Sequence, residues 1–288
     1  MASNNIERQP TFAQPEINNI SKTADLIAYL RTFSDIPYSK EISNIAHLFN
    51  KYKKNFGVDD QESIFRAPRF EARFKSVTNL LKKYGTKNIV ELASGLSPRG
   101  LILSEDTEIN YLETDYDILE KKEVIEKITA GNKRPNLKLK TLNVLDEKEI
   151  LQLANEINQP LTIISEGLLV YLNFEEQKRL AVNVHAVLKE RGGMWITPDF
   201  ATKEDRQKSY GAESGMQIEK VSNINIRANS FDNNNQISQF FIDCKLKATI
   251  FDQRKEAGDI ISGNILHLDT DQLEKRLSDR KVYILTAI

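Results

Sequence analysis

Residues 88–100, "NIVELASGLSPRG", decide the fold: the apolar run Asn88–Leu92 meets a turn at Gly95 and passes into "LILSED", which has helical character. A strand that runs through a glycine turn into a helix opens a βαβ unit, and such turns bring backbone close to a nucleotide-like ligand. The pattern then repeats. The short apolar runs "EINYLETD", "LKLKTLNV", "LTIISEG" and "MWITPDF" alternate with the helical segments "YDILEKKEVIEKITAG", "EKEILQLANEIN" and "NFEEQKRLAVNVHAVLKERGG". This alternation predicts an α/β core over residues 87–200, a parallel Rossmann-like sheet with helices on both faces.

Before that core, residues 1–20 are polar and read as a mobile arm, and residues 21–86 as a helical cover. Ser21 is expected to cap a helix through "KTADLIAYLRTF". Two more helices are expected over "IPYSKEISNIAHLFNKYKKNFG" and "APRFEARFKSVTNLLKKYG", each ending at a glycine suited to a left-handed cap. Residues 201–264 break the rhythm with charges and amides and read as a lid or insertion after the fifth strand. Residues 265–288 return to the core with the helix "TDQLEKRLSD" and the closing strand "KVYILTAI", one strand short of what such sheets carry unless the insertion supplies it.

Composition narrows the function. Forty basic residues against forty-one acidic ones leave no electrostatic case for nucleic acid or an anionic membrane as the main partner. The single cysteine, Cys244, rules out an internal disulfide framework and fits a reducing, cytoplasmic setting. The first residues lack the apolar core of a signal peptide, and no apolar run is long enough to span a bilayer.

Chemistry is expected at the carboxyl ends of the strands, where an open parallel sheet binds ligands. Gly95 follows the first strand, Asp115 closes the second, and Glu166 and Gly167 close the fourth. Asp115, twenty residues after Gly95, can accept hydrogen bonds from both hydroxyls of a ribose. The dinucleotide fingerprint is incomplete, because Ala93 and Pro98 stand where it needs glycines, and no P-loop lysine follows. A ligand with a ribose and no phosphate fits better, and S-adenosyl-L-methionine is one. Two other readings stay open, a nicotinamide-dependent oxidoreductase and a cofactor-binding partner subunit without catalysis.

The segments "ELASGLSPRG", "YLETDY", "TLNVLD" and above all "IISEGLLVYL" resemble the successive motifs of the leucine carboxyl methyltransferase family, which includes bacterial O-methyltransferases of polyketide type. "SKTADLIAYLRTFSDIPYS" and "EARFKSVTNLL" resemble its N-terminal helices, so the similarity spans residues 21–200. The resemblance implies a class I methyltransferase sheet and an O-methyltransferase using S-adenosyl-L-methionine. It places Lys22 and Arg73 on the methionine carboxylate and Ala93 and Gly95 in the turn beneath the cofactor. Asp115 falls on the ribose, Asn143 and Val144 beside the adenine, and Glu166 near the methionine amino group. Ala93 departs from a common glycine and Asn143 from a common acid.

The acceptor is expected to be a carboxylate of a small molecule or peptide terminus. A carboxylate, with a pKa of about 4, is ionised at neutrality and needs no base, whereas a hydroxyl does. Tyr171 in "EGLLVYL" stands where its hydroxyl can orient an acceptor oxygen, and Arg206 or Arg227 can pair with a carboxylate. His185 reads as core and His47 as helix packing, and three scattered histidines with one cysteine make no metal site.

Overall fold

The computed structural model describes residues 14–56, 64–157, 159–208, 219, 221–277 and 279–288. Its strands are β1 (Asn88–Leu92), β2 (Asn110–Asp115), β3 (Leu137–Thr141), β4 (Leu161–Ser165), β5 (Gly193–Thr197), β6 (Leu246–Asp252) and β7 (Lys281–Ala287). They form one sheet in the order β3-β2-β1-β4-β5-β7-β6, parallel through β5, with β7 antiparallel to both β5 and β6. This is the class I methyltransferase sheet that the resemblance implied. The missing strand is β6, inside the segment read as an insertion. Residues 246–252 therefore belong to the sheet, and their alternation was masked by lying on an exposed edge.

Strand periodicity builds two cores. Ile89, Ile164, Ile196 and Ile284 face one side with the cover helices. Their chain neighbours Val90, Ile163, Trp195 and Tyr283 face the other, against α7 (Glu147–Glu156) and α8 (Phe174–Arg191). α8 starts at a capping box in which Asn173 and Glu176 exchange side chain-to-backbone bonds of 3.0 and 2.9 Å. That cap ends the "EGLLVYL" segment and holds it at the end of β4.

The cover differs from its expected boundaries. Its first helix, α1, spans Gln14–Leu30, so Ser21 lies inside it rather than at its cap, and only residues 1–13 of the expected arm fall outside the described residues. Pro15 sits in the first turn, where a missing N–H breaks no helical bond. The second expected helix is two, α2 (Ser39–Ile45) and α3 (Leu48–Phe56), broken where His47 adopts a left-handed φ of 54°. α4 (Ala67–Tyr84) matches its reading, although Gly85 after it is extended and not left-handed. The remaining helices on the cleft side are α5 (Arg99–Leu103) and α6 (Leu119–Ile128). The described part of 201–245 packs on the body: Ile226, Phe231, Ile237 and Phe241 are buried, and Gln177 Nε2 donates to the Asn229 carbonyl at 2.9 Å.

Gly193 opens β5 at a φ of 103°, and a Cβ there would lie 1.9 Å from the Leu161 carbonyl oxygen on its paired strand. Gly193→Ala is expected to cost about 2–3 kcal/mol by forcing β4 and β5 apart. Denaturant unfolding measures it; a midpoint equal to the parent's would show that the strand end yields freely.

Candidate active site

The connection direction of the sheet reverses between β1 and β4. There the carboxyl ends of β1, β2 and β4 open on a cleft roofed by α1. Arg73, Ala93, Gly95, Asp115, Asn143, Val144, Glu166 and Tyr171 all line it. Lys22 does not. It shares the helical stripe of Leu26 and Tyr29, and Tyr29 stacks on Tyr52 of α3, away from the cleft.

The turn after β1 is built for close approach. Ala93 and Gly95 both adopt left-handed backbone, with φ of 49° and 46°. For Ala93 that conformation costs roughly 1–2 kcal/mol, which explains why a glycine suits the position. At Gly95 a Cβ would also press on the Ala24 Cβ of α1 at 3.4 Å. The Gly95 N–H donates to Asp115 Oδ2 at 2.7 Å and the Asp117 N–H to Oδ1 at 3.3 Å. Burial pushes the Asp115 pKa up, against these two donors. The carboxylate is thereby held in one orientation with lone pairs left for ligand hydroxyls. After β3, Asn143 Oδ1 accepts from the Leu145 N–H at 3.0 Å while its own N–H donates to Glu149 Oε2 at 2.7 Å.

Glu166 is surrounded by cations. Its Oε1 accepts from Arg31 Nη2 at 2.9 Å and Arg73 Nε at 3.0 Å, and its Oε2 from Arg99 Nη2 at 2.5 Å. Arg99 is fully buried, also pairs with Glu91, and donates to Thr78 Oγ1 at 3.1 Å. Burial alone would raise the Glu166 pKa; the charges of Arg99, Arg73 and Arg31 outweigh it and hold the carboxyl well below the usual range. Arg31 is the site residue that the sequence reading passed over. It lines the cleft, and its Nε is buried without a hydrogen-bond partner. The signal was a lone cation in the apolar stretch "LIAYLRTF".

A second, much smaller pocket adjoins the cleft, and Ile27, Arg73, Gly167 and Tyr171 line both. Arg69, Asp199, Arg206 and Arg280 line only the second. Asp199 also escaped notice: its carboxylate takes the N–H groups of Gly167, Leu168 and Leu169 at 2.7, 2.8 and 3.1 Å and so anchors the motif after β4. Arg227 is exposed, bonds Gln207 Oε1 at 3.1 Å, and lines neither space. Tyr171 Oη lies 2.5 Å from Thr23 Oγ1, whose single proton goes to the Ile20 carbonyl at 2.6 Å. The phenol proton therefore points to Thr23. His185 is buried in α8, whereas His47, expected to pack between helices, and His267 are exposed. Among the described residues no group of His, Cys, Asp or Glu is placed to hold a metal ion, and no helix is long and apolar enough to cross a membrane.

Behind the cleft, burial pushes the Glu113 pKa up to about 7, opposed by Lys121, whose Nζ lies 2.9 Å away without hydrogen-bond alignment. A raised folded-state pKa contributes stability present below the unfolded value of about 4.3 and lost as pH rises through the folded one. Melting temperature is thus expected to fall as pH rises from about 5 to 8, and Glu113→Gln to remove most of that fall. Asp25, raised to about 6 by burial against the charge of Lys51, contributes to the remainder. An unchanged slope in the variant would mean Glu113 is ionised throughout.

The leucine carboxyl methyltransferase model matches residues 43–185. No curated protein matches the chain. Among solved structures, the methyltransferase domain of bacterial CtHen1 is 10% identical with a TM-score of 0.49, covering 75% of this chain and 97% of that one. An O-methyltransferase family protein from Burkholderia thailandensis is 13% identical with a TM-score of 0.47, covering 86% and 71%. The plantazolicin methyltransferase BamL, in complex with a triazolic desmethylPZN analog and SAH, is 9% identical with a TM-score of 0.46, covering 94% and 100%. Likeness this remote carries no argument about substrate. The resemblance to the leucine carboxyl methyltransferase family is thus carried by residues 43–185, the segment that matches its model.

Proposed function

We propose that this protein is an S-adenosyl-L-methionine-dependent O-methyltransferase that esterifies a carboxylate of a small molecule or peptide terminus. One observation carries the reading: a cleft with a fixed ribose-binding acid, Asp115, and paired guanidiniums, Arg31 and Arg73, joins an arginine-lined cavity at Tyr171. Such a donor supplies a sulfonium methyl, an electrophile that an ionised carboxylate attacks in line without prior loss of a proton.

The residues present fit that ligand. Asp115 takes the ribose hydroxyls, and the left-handed turn at Ala93 and Gly95 clears backbone space beneath it. Asn143 and Val144 border the base. Arg31, with its unpartnered Nε, replaces Lys22 as the companion of Arg73 for a methionine carboxylate. Glu166 holds both guanidiniums in place and offers its remaining lone pair to an amino group. Tyr171 stands at the junction as a wall. Its proton serves Thr23, so Arg73 and the shape of the cavity, rather than a phenol hydrogen bond, orient the acceptor. Alignment of this kind can supply roughly 7–11 kcal/mol of a transfer barrier.

Asp115→Ala is expected to weaken S-adenosylhomocysteine binding by about 1–3 kcal/mol, since Gly95 and the ribose both lose their acceptor. Arg31→Gln should weaken it similarly. Calorimetric titration decides, and affinities equal to the parent's in both variants would move the cofactor elsewhere.

Tyr171→Phe is expected to lower kcat less than about tenfold, because no proton is transferred through the phenol. A methylated product that hydrolyses in mild alkali is an ester. An alkali-stable ether, together with a loss above about a hundredfold in Tyr171→Phe, would replace the carboxylate by a hydroxyl acceptor.

A further inference from the structure

The roof of the cleft rests on its floor. β1 lies between β2 and β4 in the sheet, so a ligand reaching from Asp115 at the end of β2 to Glu166 after β4 must cross the turn after β1. α1 closes on that turn. The Ala24 Cβ stands 3.4 Å from where a Cβ on Gly95 would lie, and Thr23 Oγ1 is 2.5 Å from Tyr171 Oη. A ligand held between the two strand ends is therefore enclosed by α1, and its passage depends on what holds α1 down.

The fastenings of α1 differ between the two sides. Toward β4, Arg31 pairs with Glu166 at 2.9 Å, and both side chains are buried. Toward β2, the contact is made through α3. Lys51 Nζ lies 3.3 Å from Asp25 Oδ1 on α1 and 2.5 Å from Glu120 Oε1 at the start of α6. Asp25 and Glu120 both line the cleft, one on the roof and one on the wall, whereas Lys51 does not. Tyr29 of α1 stacks on Tyr52 of α3 at 4.8 Å, which fastens the helix carrying Lys51 to the roof. The Lys51 and Glu120 side chains are 32% and 47% exposed, so solvent ions reach this contact and not the one at Glu166.

We propose that Lys51 is a latch on ligand passage: it ties the roof to the wall at the Asp115 end of the cleft, and the ligand enters and leaves when the Lys51–Glu120 contact opens. An exposed ion pair suits that task, because it is worth little and opens readily. The buried pair at Glu166 keeps the other side of α1 in place while it does so. The proposal rests on the reading of the cleft as the S-adenosyl-L-methionine site, and its test separates the two.

Surface plasmon resonance follows S-adenosylhomocysteine binding in time. Lys51→Met should raise the association and dissociation rate constants together, each by about threefold, the size of one exposed charge pair. Their ratio should stay within about twofold of the parent's, because Lys51 does not line the cleft. Glu120→Gln opens the same contact from the wall and should accelerate dissociation likewise, and Lys51→Arg should return both rates toward the parent's. Raising salt from about 0.05 to about 0.5 M should speed the parent in the same way and Lys51→Met hardly at all. Lys87→Met removes an exposed pair with Glu108 at the amino end of the sheet and should leave both rates unchanged. Parental rates in Lys51→Met overturn the latch. So does faster dissociation without faster association, which would make Lys51 a support of the bound ligand. Failure of the parent to bind S-adenosylhomocysteine would overturn the methyl-transfer reading instead.

Discussion

The buried Glu166 carboxylate, shared by Arg31, Arg73 and Arg99, is the contact on which the arrangement of the cleft depends. Each arginine comes from a different element: Arg31 from the turn after α1, Arg73 from α4, and Arg99 from the start of α5. One carboxylate thus ties the cover helices to the end of β4. Such a cluster is weak evidence for stability, because taking the charges out of water costs about as much as their attraction returns. Its gain is geometric. Two guanidiniums are fixed at the lining of the cleft, and their charge is tempered.

Arg99 extends the cluster inward through Glu91 to Tyr111, whose hydroxyl donates to Glu91 Oε2 at 2.7 Å. The next acid along, Glu113, is buried, and burial pushes its pKa up to about 7 against the charge of Lys121, with the Glu91 charge adding to the rise. Two buried acids, Glu113 on β2 and Glu166 after β4, therefore behave oppositely. Glu166 stays ionised because three cations face it, and Glu113 takes up a proton because one poorly aligned cation does not offset its burial.

Much of this was legible in sequence, for physical reasons. β1 to β5 and their helices announce themselves because a doubly covered parallel strand is a continuous apolar run and its crossover a helix of different period. Gly95, Asp115 and Glu166 were readable because ligands gather at strand ends. What was hidden depends on three-dimensional neighbours. β6 is an edge strand with half its side chains in water, so "LKATIFD" lacks a clean pattern. Arg31 and Asp199 act through partners 135 and some 30 residues distant in the chain, which no local spacing reveals. Lys22 and Thr23 differ by one position on α1, and only the packing of Tyr29 on Tyr52 says which of them faces the cleft.

The places where local rules fail are informative together. Ala93 adopts a backbone that alanine avoids, Arg99 and Glu113 are ionisable residues without exposure, and Arg31 and Arg206 carry buried nitrogens without partners. Scattered through the body, such features would only cost stability. Here most of them border the cleft, the adjoining cavity or the charged cluster between them, and the two cores elsewhere are packed from aliphatic and aromatic side chains. Strain and unsatisfied polarity persist where the surrounding structure holds them and a ligand can offset them. The orphaned nitrogens are the most specific of these signs. Arg31 Nε lies beside the cleft and Arg206 Nε beside the adjoining pocket, so each space is bordered by a buried donor without a hydrogen-bond partner.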